Sequence, residues 1–565
     1  MKELKNWTLK ELIERTCAQF PSRPALSMVD GEPLTYGMVA KLIEELIFMM
    51  HNNGIQKGDR VAILSQNMPN WGVAYLAITS MGAVVVPILV DFHVNEILQI
   101  LRHSGSKMVY VSTLQYDKIG YSELDPFPVM INLDDFEPLE PHIPQGKVQD
   151  FIMERSRDIN RFKRKALEAI GLKSATIEEE NLAAIIYTSG TTGSSKGVML
   201  THKNLTKDTY LTTQIQYMDE KDRLISMLPL SHTYECTIGF LIPMMCGACV
   251  YYPDKPPTAR VLIPAMQKIQ PTMILTVPLI IEKIFKLQIH PQLTRNLLMR
   301  ELYKLPFIRK ALHKVAGHKL MKTFGGKIHF FGIGGALLSY EVERFLFEAG
   351  FPYAIGYGLT ETSPLIAGCT PAVVKFRSTG TVLPTLNVRI DNPDPKTGIG
   401  EILIKGDTVM KGYYRDKDRT DTVFTPDGYF KTGDLGLHTK KNYLYIKGRC
   451  KNVIIGPNGD NVYAEDLEAK LNEQESVLES LVYESNNQKL ARVFLNYEFL
   501  DKQYGIGKMG ALLSDKFVTK HLADIKTHLN NNVATNSRIH KLIEQKEPFE
   551  KTPTQKIKRF LYQES

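Results

Sequence analysis

At 565 residues the chain is too long for one hydrophobic core, so at least two domains are expected. Its hydrophobic content of 43% and charged content of 23% are typical of a soluble globular protein. A net charge of +8 is too diffuse for a nucleic-acid-binding protein. The six cysteines are scattered, which favours a reducing cytoplasm over a disulfide framework. The N-terminal segment has no apolar region of the kind a signal peptide needs, so none is expected.

The first part of the chain alternates short β-branched runs with helical patterns, which predicts a mainly parallel sheet with helices on both faces. Strands are predicted at residues 60–64, 83–87, 108–111, 182–188, 272–277, 327–333 and 352–357, with helices at 67–81 and 94–104. The weakly patterned stretch 115–180 is predicted to be an insertion over the surface. Beyond residue 378, short alternating strands between Gly-rich turns indicate a compact antiparallel β unit.

Positive charge is concentrated in the segment Glu282–Lys327, which holds eleven Lys or Arg and two Glu. Large apolar residues are interleaved with these cations: Phe285, Leu287, Leu297, Leu298, Leu302, Phe307 and Ile308. This pattern is typical of a helix that lies on an anionic membrane surface. The alternative is a solvated helix whose apolar side faces the core.

A strand-like run leads into glycines, hydroxyl side chains and a lysine between Thr188 and Gly197. Glycine lets backbone N–H groups converge on an anion, Ser and Thr hydroxyls add donors, and Lys196 adds a mobile positive charge. We therefore expect this loop to bind a polyphosphate. It is not a Walker A loop, because Gly197 follows Lys196 where that motif needs Ser or Thr. The run 331–336 also lacks the spacing of the dinucleotide-binding fingerprint.

Five stretches, in this order along the chain, resemble the motifs of one family. They are TSGTTGSSKG at 188–197, GYGLTET at 356–362, YFKTGDLG at 429–436, KGRCKNVII at 447–455 with NVYAEDLE at 461–468, and KTPTQKIKR at 551–559. These stretches resemble the phosphate loop, the adenine-and-metal motif, the ribose motif, the hinge motif and the C-terminal lysine motif of adenylate-forming enzymes. Within that superfamily the chain is most similar to long-chain fatty acyl-CoA synthetases.

The resemblance implies a fold class and two domains. The fold is α/β: a large N-terminal domain of doubly wound mixed sheets with a small β-barrel-like unit, and a small mobile α+β C-terminal domain. The expected bounds are residues 1–449 for the adenylation domain and 450–565 for the lid that carries the catalytic lysine.

The resemblance also implies an ATP site. Thr188 and Glu361 would bind Mg²⁺, Tyr357 would stack on adenine, and the two carboxylate oxygens of Asp434 would accept hydrogen bonds from both ribose hydroxyls. The expected nucleotide-binding set is Thr188, Ser189, Gly190, Thr191, Thr192, Gly193, Lys196, Gly334, Gly335, Gly356, Tyr357, Thr360, Asp434, Arg449 and Lys451. Gly334 and Gly335 are expected to leave room for the base.

Four residues are expected to be catalytic: Lys556, Glu361, Thr188 and His232. Lys556 would swing to the α-phosphate and neutralise charge as pyrophosphate leaves, Lys451 would be the hinge residue, and His232 would lie near the acyl and pantetheine channels. The chain departs from some relatives at Ile455, where they carry a basic residue, and at Ser195, where many carry Pro.

The implied reaction joins a carboxylate to ATP as an acyl-adenylate, releases pyrophosphate, and then transfers the acyl group to the thiol of coenzyme A. A fatty acid is favoured over an amino acid, because Tyr234 stands near the position where peptide-synthetase domains usually present Asp. Two alternatives remain open: transfer to an acyl carrier protein, and a non-catalytic nucleotide-binding relative. No nucleic-acid partner is expected, and the expected location is the cytoplasm, with peripheral contact to the inner face of an anionic membrane as a further hypothesis.

Overall fold

The computed structural model describes residues 3–120, 122–141, 176–188, 195–455, 461–486, 488–508, 511–552 and 556–563. In these ranges no helix is both long enough and apolar enough to cross a membrane. The described part of the chain forms two large sheets, a smaller antiparallel unit and a C-terminal α+β unit.

Two mixed sheets form the body of the large domain. The central strands Val84–Ile88 and Met108–Val111 are rich in β-branched residues and buried on both faces, as parallel central strands require. The eight-stranded sheet has the spatial order Gly412–Tyr413, Lys196–Thr201, Leu182–Thr188, Val84–Ile88, Arg60–Leu64, Met108–Val111, Val129–Asn132 and Pro138–Leu139. The seven-stranded sheet has the order Tyr353–Ile355, Phe330–Ile333, Met273–Thr276, Arg223–Ile225, Cys249–Tyr252, Pro24–Met28 and Leu34–Thr35.

Helices cover these sheets and fill the space between them. Every residue from Trp71 to Met81 is buried in helix Pro69–Met81, and its aromatic side chains pack in one core with residues of both sheets. The other α-helices of the large domain are Leu9–Gln19, Tyr36–Asn52, Val94–Ser104, His202–Ile215, Ile242–Cys246, Ala259–Ile269, Pro278–Ile284, His290–Leu293, Leu297–Lys304, Pro306–Thr323, Tyr340–Ala349 and Lys417–Val423. Two π-helical segments, Tyr234–Leu241 and Phe285–Ile289, continue into helices.

The antiparallel unit consists of two small sheets that share one apolar core. One has the order Asn387–Asp391, Gly400–Lys405, Phe430–His438 and Leu444–Arg449, and the other has the order Tyr357–Gly358, Leu365–Gly368 and Thr381–Val382. This is the barrel-like unit predicted beyond residue 378, although one of its sheets begins earlier, at Tyr357.

The C-terminal unit has its own core, built from residues 454 onward. It contains strands Val453–Ile455 and Asn461–Tyr463, a sheet of Val477–Ser485, Gln488–Leu495 and Lys541–Gln545, and helices Ala464–Asn472, Tyr497–Tyr504 and Ala511–Asn531. The predicted fold class is thus confirmed, whereas the boundary between residues 449 and 450 stays a prediction.

One predicted element differs from the structure. The stretch 115–180 was expected to be an unpatterned surface insertion, yet Val129–Asn132 pairs in parallel with Met108–Val111 and extends the eight-stranded sheet. Pro138–Leu139 then adds a short antiparallel edge. An edge strand gains its hydrogen bonds from the neighbour, so its own sequence needs only a short apolar run. Residues 142–175 lie outside the described ranges.

Candidate active site

The strand that precedes the phosphate loop and the strand that follows it bring Lys196 to a buried carboxylate. The Lys196 ammonium lies 2.6 Å from Oε1 of Glu361 and donates to Oη of Tyr413 at 2.9 Å. Tyr413 in turn donates to the same Oε1 at 2.9 Å. Burial is the largest single cause and raises the pKa of Glu361, but the Lys196 charge and the hydrogen bonds from Lys196 and Tyr413 together hold that pKa below its ordinary value. Thr360 is buried in the same short turn, Thr360–Thr362.

The residues expected to bind Mg²⁺ are Thr188 and Glu361, and the chemistry around them fits a magnesium–phosphate site. Thr188 lies opposite Lys196 in the antiparallel register, so its backbone neighbours the lysine that reaches Glu361. The Thr188 hydroxyl is buried and has no hydrogen-bond partner among the described residues. A hard carboxylate, an unsatisfied hydroxyl and bound phosphates are the donor set that Mg²⁺ uses. The loop residues Ser189, Gly190, Thr191, Thr192 and Gly193 lie outside the described ranges.

Asp434 forms the second buried acidic centre. Its Oδ1 lies 2.7 Å from Nε of Arg449, and its Oδ2 accepts a hydrogen bond from Oη of Tyr357 at 2.8 Å. Burial raises the pKa of Asp434, and the Arg449 charge and the Tyr357 hydrogen bond oppose that rise. Gly356, just before Tyr357, donates its N–H to the carbonyl of Ile333 at 2.9 Å and so ties the adenine motif to the seven-stranded sheet.

The glycines near the expected adenine pocket have different reasons to be glycine. A Cβ on Gly334 would come 3.1 Å from the ring of Tyr234, so this glycine allows the tyrosine ring to pack closely, and its role beside the base stays a prediction. Gly335 has a φ of +89°, which only glycine adopts readily. A Cβ on Gly358 would lie 1.8 Å from the carbonyl oxygen of Pro364, so the adenine motif requires glycine there as well.

His232 lies at the start of the π-helical segment Tyr234–Leu241. Its Nδ1 accepts the N–H of Tyr234 at 3.2 Å, which assigns the proton of the neutral ring to Nε2. Burial, together with the positive charge of Lys556, lowers the pKa of His232 to about 4. The ring is therefore neutral at physiological pH.

This neutral histidine predicts a pH-dependent stability. Below pH 6.5 the unfolded chain protonates this residue while the folded chain does not, so the free energy of unfolding falls as pH drops from 6.5 towards 4. For His232→Gln we expect the free energy of unfolding to fall less steeply over that window, because the variant takes up about one proton fewer on unfolding. Urea unfolding at a series of pH values measures the slope, and equal slopes for both proteins would contradict a buried neutral His232.

The C-terminal lysine lies at the same cleft. Lys556 is exposed as a whole residue, but its ammonium lies among the cleft walls and is within electrostatic range of Arg449, Asp434, Glu361 and His232. The cleft walls lower the pKa of Lys556 by desolvation, Arg449 lowers it further, and the two carboxylates oppose this. The structure thus brings the four groups named from distant motifs to one place.

Ion pairs hold the tail that carries this lysine. Arg559 binds both carboxylate oxygens of Glu468 at 2.6 Å, and the ammonium of Lys551 binds Glu479. Phe549 is buried in a small core of the C-terminal unit. These contacts attach residues on both sides of Lys556 to the C-terminal unit.

The expected hinge residue, Lys451, is exposed in the turn Cys450–Asn452. Beside it, Asn452 donates to Oε1 of Glu465 at 2.5 Å. Ile455, which stands where some relatives carry a basic residue, is 66% exposed, and its side chain offers no polar group to a phosphate.

Lys451→Pro is expected to slow thioester formation strongly while leaving acyl-adenylate formation close to normal. Proline fixes φ, so a lid that turns about this residue would keep one orientation. Lys451→Ala, which removes the same side chain and keeps φ free, is the control. The two half-reactions are measured separately, and a Lys451→Pro enzyme that makes thioester at the normal rate would show that the hinge lies elsewhere.

A second contact between the domains involves the basic segment. The Lys286 ammonium binds the carbonyl of Asn472, the last residue of helix Ala464–Asn472, and lies 3.4 Å from the carbonyl of Val477. A cation at a helix C-terminus is favourable because the last carbonyls are unpaired. Glu475 adds pairs with His290 and Arg300 at 3.1 and 3.8 Å.

Lys286→Met is therefore expected to lower the rate of acyl-adenylate formation by about tenfold. The substitution keeps most of the apolar stem and removes the charge that contacts the C-terminal unit at the carbonyls of Asn472 and Val477. Lys283→Met is the matched control, because Lys283 is exposed on helix Pro278–Ile284, which continues into the π-helical segment of Lys286. Rapid-quench measurement of acyl-adenylate distinguishes the two variants, and equal rates would mean that Lys286 does not hold the lid.

Sequence reasoning missed two residues of this site. Tyr413 has no motif of its own and reaches Glu361 only because Gly412–Tyr413 pairs with the strand of Lys196. In the sequence, Tyr234 is notable only because it stands near the position where peptide-synthetase domains usually present Asp. Its packing against Gly334 depends on tertiary structure.

Comparisons with known proteins agree with this geometry. A model of the AMP-binding enzyme family matches residues 13–414. A long-chain-fatty-acid–CoA ligase of Bacillus subtilis is 28% identical over 505 residues, covering 85% of this chain and 83% of the relative. The long-chain-fatty-acid–CoA ligase heimdall of Drosophila melanogaster is 26% identical over 537 residues, with 86% and 76% covered. 4-Coumarate–CoA ligase 1 of Petroselinum crispum is 27% identical over 483 residues, with 82% and 79% covered.

Solved structures show the same fold at low identity. ATP-bound MatB from Rhodopseudomonas palustris has a TM-score of 0.74 at 21% identity, with 98% of each chain covered. O-succinylbenzoate coenzyme A synthetase from Bacillus subtilis, in complex with ATP and magnesium, has a TM-score of 0.73 at 20% identity, with 97% of this chain and 98% of the other covered. Because the family model spans most of the chain, the predicted superfamily is confirmed: the chain belongs to the AMP-binding enzyme family.

Proposed function

We propose that the protein is an AMP-forming acid–thiol ligase that converts a long-chain fatty acid to an acyl-adenylate and then to its coenzyme A thioester. Family membership and the relatives that are CoA ligases support the reaction class. The lid of residues 450–565, turning about Lys451, is part of the same proposal.

The observation that supports a fatty acid over an amino acid is that neither described residue at positions 234 and 235 offers a free carboxylate to an amino group. Tyr234 occupies the position beside Gly334, and Glu235 points into the core. Glu235 accepts a hydrogen bond from Ser226 at 2.6 Å, and burial raises its pKa to about 8. This arrangement of Tyr234 and Glu235 favours an acid without an ammonium group as the substrate.

The residues divide the chemistry between them. Asp434, Tyr357 and Arg449 would orient the ribose and adenine, and Lys196 would leave Glu361 to bind a phosphate. Mg²⁺, when bound through Glu361 and Thr188, supplies positive charge at the phosphates. The Lys556 ammonium would neutralise charge on the reacting carboxylate and α-phosphate, which is the main contribution a protein makes to this kind of transfer.

The test is to incubate the enzyme with ATP, Mg²⁺ and either palmitate or 4-coumarate, and to follow ATP–pyrophosphate exchange. Exchange with palmitate and not with 4-coumarate is the expected result. Exchange with 4-coumarate alone would replace the fatty acid by an aryl acid, for which the Petroselinum relative gives a precedent. No exchange with any medium or long fatty acid would reject the proposal.

The acceptor is tested in the same reaction. Coenzyme A or a holo acyl carrier protein is added, and the product is weighed by mass spectrometry. We expect acyl-CoA, whereas an acylated carrier protein alone would assign the enzyme to the carrier-dependent class.

A further inference from the structure

The connection between two basic helices, Leu297–Lys304 and Pro306–Thr323, presents large apolar side chains to solvent. We call this feature the apolar elbow, and its exposed fractions are 80% for Leu297, 69% for Leu298, 43% for Leu305 and 73% for Phe307. No residue of the first helix is buried. The alternative that these side chains face the core is therefore wrong for the elbow, although it holds for Phe285, which is buried.

The second helix continues the elbow with a stripe of lysines. Its buried residues are His313, Gly317 and Leu320, which define the side that packs on the protein. The opposite side, which we call the lysine face, contains Phe307, Lys310, Lys314, Val315, Lys319 and Lys322, all exposed. At about 100° per residue these positions fall within one half of the helix circumference, and the buried residues lie in the other half. The helix contains no Asp or Glu.

Part of the positive charge in this region has no acidic partner. Lys304, Arg309 and Arg300 form ion pairs with Glu301, Glu348 and Glu475, respectively. Lys310 and Lys314 are exposed and form no ion pair with any acidic side chain in the described ranges. An uncompensated cationic stripe beside an exposed apolar patch indicates a partner that is both anionic and apolar.

We propose that the apolar elbow and the lysine face form a docking site for an anionic phospholipid bilayer. The elbow side chains would enter the acyl region while the lysines bind headgroup phosphates, since lysine stems reach outward past apolar surface. The apolar residues lie between Arg295 and Lys310 along the chain, so cations border the inserting part on both sides. The proposal deepens the proposed function, because a long-chain acid partitions into bilayers, but it does not depend on that function for its test.

The test is flotation of the full-length protein with vesicles, without ATP or fatty acid. Vesicles of phosphatidylcholine alone are compared with vesicles of equal parts phosphatidylcholine and phosphatidylserine. We expect binding to the anionic vesicles only, weakened by salt. The double variant Lys310→Gln and Lys314→Gln is expected to bind about 30-fold more weakly, from the contribution of each cation near an anionic surface.

The matched control is Lys516→Gln with Lys520→Gln, two exposed lysines with the same spacing on helix Ala511–Asn531 of the lid. This pair should bind like the unaltered protein. An equal loss in both double variants would show that net charge alone is responsible and would overturn the docking site.

Insertion of the elbow is tested separately with Phe307→Ser. We expect about tenfold weaker binding, because an aromatic side chain no longer leaves water. Tyr217→Ser is the control, since Tyr217 is 72% exposed and Phe307 is 73% exposed.

Absence of vesicle binding, or capture of the lysine face only by an acidic acyl carrier protein, would overturn the proposal. ATP–pyrophosphate exchange with a short soluble acid, run on the same samples, reports the enzyme reaction independently of the membrane.

Discussion

Lys556→Ala is expected to slow acyl-adenylate formation by about 10²–10³-fold, while thioester formation from supplied acyl-adenylate stays close to normal. The ammonium of Lys556 is within electrostatic range of Glu361 and Asp434, the two buried carboxylates assigned to the metal and the ribose. In that position it opposes the negative charge that develops as pyrophosphate leaves. In the proposed mechanism the lid then turns and takes the lysine away from the phosphates, so we expect the second half-reaction not to need it.

The control is Lys558→Ala, which removes a lysine two residues away that pairs with Glu550 at 3.5 Å. It should leave both half-reactions intact if only the residue at 556 reaches the cleft. Single-turnover assays measure each step, and circular dichroism checks that the tail still packs. An equal loss in both half-reactions of Lys556→Ala would contradict a role confined to adenylation.

Local sequence signals predicted many of the elements because those signals act within a few residues. Helix Val94–Ser104 has the predicted bounds: His93 and Glu96 form a capping box at its start, and Gly105 ends it with φ of +62°. Strand Val129–Asn132 was missed because its partner, Met108–Val111, supplies the hydrogen bonds that make it a strand.

The candidate site divides in the same way. Motifs far apart in sequence named Lys196, Glu361, Asp434 and Lys556, and the structure places these groups around one cleft. The motifs did not reveal that Lys196 pairs with Glu361, because that contact depends on the register between two strands and a turn more than a hundred residues away.

For the apolar elbow, composition located the basic segment but did not show which of its side chains face solvent. Charge counting located the basic segment, but the sequence left open whether Phe285 and Phe307 face the same side. The structure buries the first and exposes the second. Burial depends on what packs against each turn of the helix. Next to Phe285, the C-terminal unit contacts Lys286 through Asn472 and His290 through Glu475.

Glu361→Gln is expected to lower kcat/KM for MgATP by about 100-fold or more and to raise the Mg²⁺ concentration needed for half-maximal activity. The amide keeps the size of the side chain and its contact with Tyr413. It removes the negative charge that now pairs with Lys196 at 2.6 Å and that would bind the metal when ATP enters. If Lys196 exchanges this carboxylate for a phosphate, as proposed, the loss should appear in the ATP-dependent half-reaction and not in transfer from supplied acyl-adenylate.

The matched control is Glu348→Gln, which also breaks an ion pair of a partly buried carboxylate. Glu348 lies 2.8 Å from Arg309 and belongs to none of the five motifs. Both variants lose one charge pair, so a comparable fall in Tm is expected from each, but only Glu361→Gln should change the Mg²⁺ titration. If its titration coincides with that of Glu348→Gln and of the unaltered enzyme, Glu361 is a structural partner of Lys196 and the metal is bound elsewhere. If the curves separate, the pair of Lys196 and Glu361 is a salt bridge that the nucleotide and its metal must open before the carboxylate substrate can react.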